Sequence, residues 1–242
     1  MNISWNNVWA VGKREFTSYF NSPIAYIAIT VFLVISGVVF FFEGEFFAKG
    51  MADMRHFFDR TPLLFIFLLP AISMRLISEE KRTGSLELLI TMPISDVGLI
   101  LGKLLGAFLF LLVTLFLTLA YPITISFIGD LDWGPVIGGY LGLLLLGLAY
   151  LGIGLMTSCW TRNQIVAFIL SVMICAFFYY VDALMGAFWE GTRDFFAYIS
   201  LKAHFDNIAK GVLDTRDILF YLSVTALSVI MGAFSLQSRR WS

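Results

Sequence analysis

Charge is the scarcest property of this 242-residue chain: Asp, Glu, Lys and Arg together make up 14% of it. Soluble domains carry about 25% charged residues. A chain this short has too little interior to hide the 59% of its residues that are apolar, 25 of them Phe. At a mean hydropathy of +0.86 the missing apolar solvent has to be lipid. The few charges nearly cancel, 16 Lys and Arg against 17 Asp and Glu, which excludes the basic excess of a nucleic-acid binder and the acidic tail of a disordered one. Cysteine and histidine are scarce too. Cys159 and Cys175 fall in or beside apolar runs and make no metal-ligand spacing with each other or with His56 and His204, so they read as packed thiols and no metal is expected. No GxxxxGK[ST] phosphate loop, HExxH or GxSxG segment occurs. The chain therefore cannot hydrolyse ATP itself, and no catalytic residue or bound cofactor is expected.

What is abundant is apolar sequence in runs of the length a bilayer requires, about 20 residues at ~1.5 Å each. Six such runs, 23–42, 61–78, 104–128, 133–160, 164–181 and 218–236, predict an all-α polytopic membrane protein. The second and fifth have the shortest uncharged cores. The first ends in Phe41-Phe42-Glu43-Gly44-Glu45 rather than a small-residue cleavage site, so it reads as a retained span. With both termini inside, the inner segments hold nine basic and five acidic residues and the outer ones seven and twelve, which orients the chain with both ends cytoplasmic. Trp5, Trp9, Trp133, Trp160, Trp189 and Trp241 all fall at the proposed interfaces. The only charged groups in or next to the runs that could enter the membrane, Arg75, Lys103 and Asp182, lie near span ends, and an ion-driven transporter would need one in the middle.

Three kinds of segment do more than span. Over 3–20, Trp5, Val8, Trp9, Phe16, Tyr19 and Phe20 recur at helical spacing while Lys13 and Arg14 fall on another face. That pattern suits an interfacial helix with aromatics in the acyl boundary and cations at the headgroups, whether it acts or merely anchors. The loop after span two contains Glu79, Glu80, Lys81, Arg82, Thr83, Gly84 and Ser85, then Glu87 amid Leu86, Leu88, Leu89 and Ile90, and Pro93. Thr83 and Gly84 can turn the chain, Ser85 can cap a new helix, Glu87 suits its first turn, and Pro93 stops it. A short greasy-and-charged helix on the cytoplasmic side is expected there, for docking a partner or as an accidental amphipathic turn. Outside, 43–60 and 182–217 are rich in aromatics, which suits re-entrant elements or simple packing on the lipid surface. Gly134, Gly138 and Gly142, at four-residue spacing in span four, read as a close helix-packing stripe.

The stretch Tyr19-Phe20-Asn21-Ser22-Pro23-Ile24-Ala25-Tyr26-Ile27 and the stretch from Leu69-Pro70 through Arg75, Ser78-Glu79-Glu80-Lys81-Arg82-Thr83-Gly84-Ser85-Leu86-Glu87 to Pro93 resemble type-2 ABC exporter permeases. The sequence is most similar to the gliding-motility subfamily, to which Asn163-Gln164-Ile165 and His204 to Asp217 also conform, and more distantly to the permease of nitrous-oxide-reductase maturation. The resemblance implies a six-span half-transporter of the bacterial cytoplasmic membrane. It implies a second permease protomer and two copies of a cytoplasmic ABC ATPase that holds ATP and Mg, and such systems often add a membrane subunit with a large external domain. It makes 3–20 the connecting helix, 79–93 the loop of the coupling helix, and the long outer stretch the site of re-entrant helices. Gly84, Ser85 and Glu87 would set the geometry of coupling, and Glu80 and Arg82 its charged contacts. The competing expectation is a scaffold that binds the ATPase and relays its motion outward while passing no substrate. A lipid-modifying enzyme is disfavoured because no nucleophile or metal cluster is visible.

Overall fold

The computed structural model describes residues 5–43, 53–86, 95–188 and 196–237. Among them no strand occurs, and six helices are long and apolar enough to cross a membrane: Pro23–Phe42, Arg55–Thr83, Asp96–Ser126, Trp133–Trp160, Gln164–Met185 and Thr215–Gln237. In chain order the helices are α1 (Trp5–Phe20), α2 (Pro23–Val38, continued by a π turn over Val39–Glu43), α3 (Arg55–Ser73), α4 (Arg75–Thr83), α5 (Asp96–Thr118), α6 (Ala120–Ser126), α7 (Trp133–Trp160), α8 (Gln164–Phe188), α9 (Leu201–Ala209) and α10 (Thr215–Gln237).

Local chemistry sets the boundaries. Ser22 Oγ accepts from the Ile24 amide and Pro23 opens α2, where its missing N–H costs nothing. Ser95, Asp132 and Ser200 cap α5, α7 and α9 by accepting the amides of Gly98, Gly134 and Ala203. Gly84 ends α4 at φ 76° and Gly211 turns the chain after α9 at φ 85°, left-handed conformations that suit glycine. The second span is longer than its expected 61–78 because α3 and α4 follow one another with only Met74 between them, and charged residues at its two ends extend past the uncharged core. The third likewise starts at Asp96, so Lys103 lies inside helix α5 rather than before it. Asp182, expected to stop span five, sits within α8 with its carboxylate accepting from Ser200 Oγ at 3.0 Å. Helix α9 ends at Ala209 ahead of the Gly211 turn.

Helix α7 is the axis of the bundle. From Leu146 to Cys159 nearly every residue is buried, and α7 packs on α3, α4, α5, α8, α9 and α10. A helix apolar all round belongs in such a core. Glycines bring its neighbours close. A Cβ on Gly138 would lie 2.4 Å from the Ile208 carbonyl oxygen, and one on Gly142 would lie 3.0 Å from the Phe205 ring, so these two seat α9. A Cβ on Gly134 would meet only the Asp132 cap, which accepts the Gly134 amide, while the Gly134 backbone lies against the Gly211 turn that follows α9. Helices α2, α8 and α10 sit outside, showing Ile27 and Val34, Ile169 and Met173, and Leu219 and Phe234 outward, as a lipid-facing surface would. Where Pro122 withholds the amide that would bond the Thr118 carbonyl, Tyr140 OH donates to that oxygen at 3.0 Å.

Candidate coupling junction

The described coupling residues expected from sequence lie at the end of the bundle where α4 and α7 finish and α8 begins, whereas Gly134, Gly138 and Gly142 lie near the start of α7. Helix α1 runs alongside α5 from there, with Val8 and Val11 beside Gly102, Glu15 beside Gly106 and Tyr19 beside Phe110. Val8, Gly12 and Tyr19 are buried against the bundle while Trp5 and Trp9 are exposed at 75% and 56%, so the expected aromatic face is split between protein and outside. The contact runs along a glycine groove: a Cβ on Gly102 would lie 2.7 Å from Val11 Cβ, and one on Gly106 would lie 2.6 Å from Glu15 Cβ and 2.9 Å from the Gly12 carbonyl oxygen. Lys13 and Arg14 are exposed, and Phe16 packs on Phe20 with ring centroids 5.0 Å apart.

Above that groove stands a buried cation between two acids. Lys103, 2% exposed, places Nζ 3.1 Å from Glu15 Oε2 on α1 and 2.7 Å from Glu80 Oε1 on α4. One ammonium thus ties three helices together. Its neighbour in α4, Lys81, is also buried and donates to the Cys159 carbonyl at the C-terminal end of α7, where a cation complements the helix dipole. Ser235 Oγ of α10 donates to the same carbonyl at 3.1 Å.

At the start of α4, Ser158 of α7 enters the backbone ladder. Its Oγ accepts the Ile77 and Ser78 amides at 3.0 and 2.9 Å and donates to the Met74 carbonyl at 2.8 Å, which uses the hydroxyl to capacity. An inserted side chain of this kind is a recognised cause of a helix break. Met74 lies between α3 and α4 for that reason.

The expected coupling residues therefore part company. Glu80 and Lys81, expected to face a partner, point into the bundle because they share the buried face of α4 with Leu76 and Ile77. Glu79 stays half-exposed beside Arg75, 3.6 Å away, and Arg82, Thr83 and Gly84 are exposed. Ser85, expected as a cap, is already helical, with Oγ 2.9 Å from Thr83 Oγ1, and Leu86 is buried. Glu87 and Pro93 lie outside the described residues, as do most of the docking helix and the outer segment's Trp189.

Glu15, Ser158 and the Gly102–Gly106 groove were not singled out from the sequence, and Lys103 was named only as an ionisable group near a span end. The groove had a signal in the four-residue repeat Gly98, Gly102, Gly106. Among the described residues no three of His, Cys, Asp and Glu converge on one point as metal ligands would.

Through Lys103, Lys81 and Ser158, α4 is tied to α1, α5 and α7 at one end of the six-helix bundle. The sequence profile of the ABC-2 family transporter proteins matches residues 45–239, most of the chain, whereas no curated protein matches it. The chain belongs to the ABC-2 transporter family, as a multi-pass membrane permease of the kind that works with an ATP-binding partner.

Proposed function

We propose that this chain is the permease subunit of an ABC exporter, driven by a separate cytoplasmic ATPase that seats on residues 79–93. The observation that carries the reading is the clamping of α4, from which that segment emerges: Lys103 holds it to α1 and α5, and Lys81 and Ser158 hold it to α7. A push on the exposed Arg82–Gly84 corner would reach α1, α5 and α7 together, since bonded and packed elements move as units while a loose loop would absorb the motion. In this reading the α4 end faces the cytoplasm and both termini lie inside the bacterial cytoplasmic membrane. Helix α1 rests at the interface, with Trp5 and Trp9 toward lipid. Two permease protomers pair with two ATPase copies that hold ATP and Mg, and the resemblance of the 69–93 stretch favours the gliding-motility type, with or without a subunit bearing a large external domain.

The packed centre of the bundle also supports a second reading. Gly147 meets Leu111 and Gly154 meets Ser73 with no room for a Cβ, so α7 packs closely on α5 and α3 at these two levels. A scaffold that relays ATPase motion outward would look the same.

One reconstitution tests both. The chain co-purified with its ATPase should show hydrolysis that Glu87→Lys or Leu88→Pro uncouples while the chain stays in the membrane. Coupled hydrolysis with substrate movement supports the exporter; coupled hydrolysis with conformational change but no movement supports the scaffold. Full coupling in both variants refutes the seat at 79–93.

A further inference from the structure

At the end of the bundle opposite the coupling junction, His204 of α9 meets Asp217 in the first turn of α10. Its Nδ1 lies 2.6 Å from Asp217 Oδ1, and its Nε2 lies 3.1 Å from the Tyr198 carbonyl oxygen just ahead of α9. Both partners present acceptors. Turning the ring over would put carbons at both contacts and lose both bonds, so the network fixes its orientation. A neutral imidazole has one N–H and serves one acceptor; the imidazolium serves both.

The surroundings favour a positive ring beside a carboxylate. Asp217 is 3% exposed, and its Oδ2 is buried with no hydrogen-bond partner among the described residues, so its charge calls for a cation at hand. As a first-turn residue it also gains from the positive end of α10. The ring stacks on Phe220 with centroids 4.0 Å apart, where a cation meets the negative face of the aromatic. Of the other charged groups around α9, Lys202, Asp206 and Lys210 border a separate cleft with Arg55, Asp59 and Arg60 of α3. Asp182 of α8 accepts from Ser200, and α7 carries no charge over Trp133–Trp160. Asp214 and Arg216 share with His204 a recess of about 470 Å³, and the ring's 12% exposure gives water a way to it.

We propose that His204 and Asp217 form a proton-binding site that fastens the approach to α9 onto the start of α10. With the proton, the imidazolium joins Asp217 to Tyr198. Without it, the carboxylate keeps the remaining N–H as the stronger acceptor, and Nε2 turns a lone pair on the Tyr198 oxygen, which opens that contact. Helix α9 itself stays tied, because Tyr221 OH donates to the Leu201 carbonyl at 2.7 Å and Ser200 Oγ donates to Asp182. The switch is confined to the turn before it, where the Ile199 and Ser200 amides bond back to Phe196 and Ala197. It needs neither an ATPase nor a transported molecule, so it stands apart from the exporter reading.

The test uses the full chain in phosphatidylcholine nanodiscs, with 15N in the rings of its two histidines. His204→Gln identifies the His204 signals. At about pH 5 both His204 nitrogens should carry protons, and at about pH 9, above the ordinary histidine range, one should not. Amide exchange at 199 and 200, corrected for its intrinsic pH dependence, should quicken about tenfold over that rise, the worth of one charge-assisted hydrogen bond. His204→Gln should make exchange there independent of pH, and Asp217→Asn should move the loss of the ring proton to lower pH. A wild-type ring whose proton count is the same at both ends of the range overturns the proposal. So does exchange at 199 and 200 that answers pH alike in wild type and His204→Gln.

Discussion

Lys103→Met should be among the most damaging single substitutions outside the axial helix. In the native protein the ammonium is 2% exposed and offsets two carboxylates at 2.7 and 3.1 Å. Methionine keeps the length and removes the charge, leaving Glu15 and Glu80 to repel across the space it fills. Taking one partner from a buried ion pair costs about 3–5 kcal/mol. The Glu15 and Glu80 side chains keep 23% and 21% of their surface, which puts the loss near the low end, about 3 kcal/mol. For a chain of this size that is a fall in melting temperature of roughly 5–10 °C. Adding Glu80→Gln removes the repulsion and should return more than half of it, since a neutral replacement of a buried ion cluster is often close to harmless. Differential scanning fluorimetry of the purified chain in detergent reads both variants, with hydrogen exchange over 5–20 reporting whether α1 has loosened. A Lys103→Met protein that melts with wild type, or a double variant less stable than the single, would show that the cation does not bind the three helices.

Other substitutions probe the remaining contacts. Gly106→Ala forces α1 off α5, because its Cβ would lie 2.6 Å from Glu15 Cβ and 2.9 Å from a backbone oxygen; overpacking of about 1–3 kcal/mol and faster exchange in 5–20 are expected, and unchanged exchange would contradict the groove. Ser158→Ala strands the Ile77 and Ser78 amides and should cost about 1–3 kcal/mol, read by thermal melting, with protection lost at 77 and 78 in particular. Burial pushes the Asp206 carboxyl up, against the pull of Lys202. The folded protein therefore holds that proton to higher pH than the unfolded chain, and the stability it contributes is lost as pH rises through the raised value. Asp206→Asn should melt higher than wild type at neutral pH, with the gap closing as pH falls into the ordinary carboxylate range. A gap that widens on acidification would refute the sign.

The six spans could be read from the sequence because length and apolarity are properties of each run alone, and 23–42 and 133–160 coincide with the helices found. Span ends were less legible. Asp96 and Thr83 extend helices past the uncharged cores, and a single sequence does not show which flanking charges a neighbour or the interface will hold. The orientation of α4 was more accessible than it looked. Leu76 and Glu80, and Ile77 and Lys81, are four apart, so two charges shared the greasy side of a helix with strong two-faced character, whereas Arg75, Glu79 and Arg82 did not. What no local pattern could supply is the partner. Glu15 and Lys103 are separated by 88 positions, and Ser158 meets an amide 80 positions earlier. Such meetings come from the packing of whole helices, and only the Gly98–Gly102–Gly106 repeat hinted at where one would occur.

The Ser158 hydroxyl gives the long second span an articulation suited to oil. Bending an ordinary helix in hydrocarbon bares an amide and a carbonyl with no water to receive them. Here Ser158 accepts the Ile77 and Ser78 amides and donates to the Met74 carbonyl, so the backbone groups freed at the break keep partners. A span broken in this manner keeps its backbone satisfied inside the protein where water is absent.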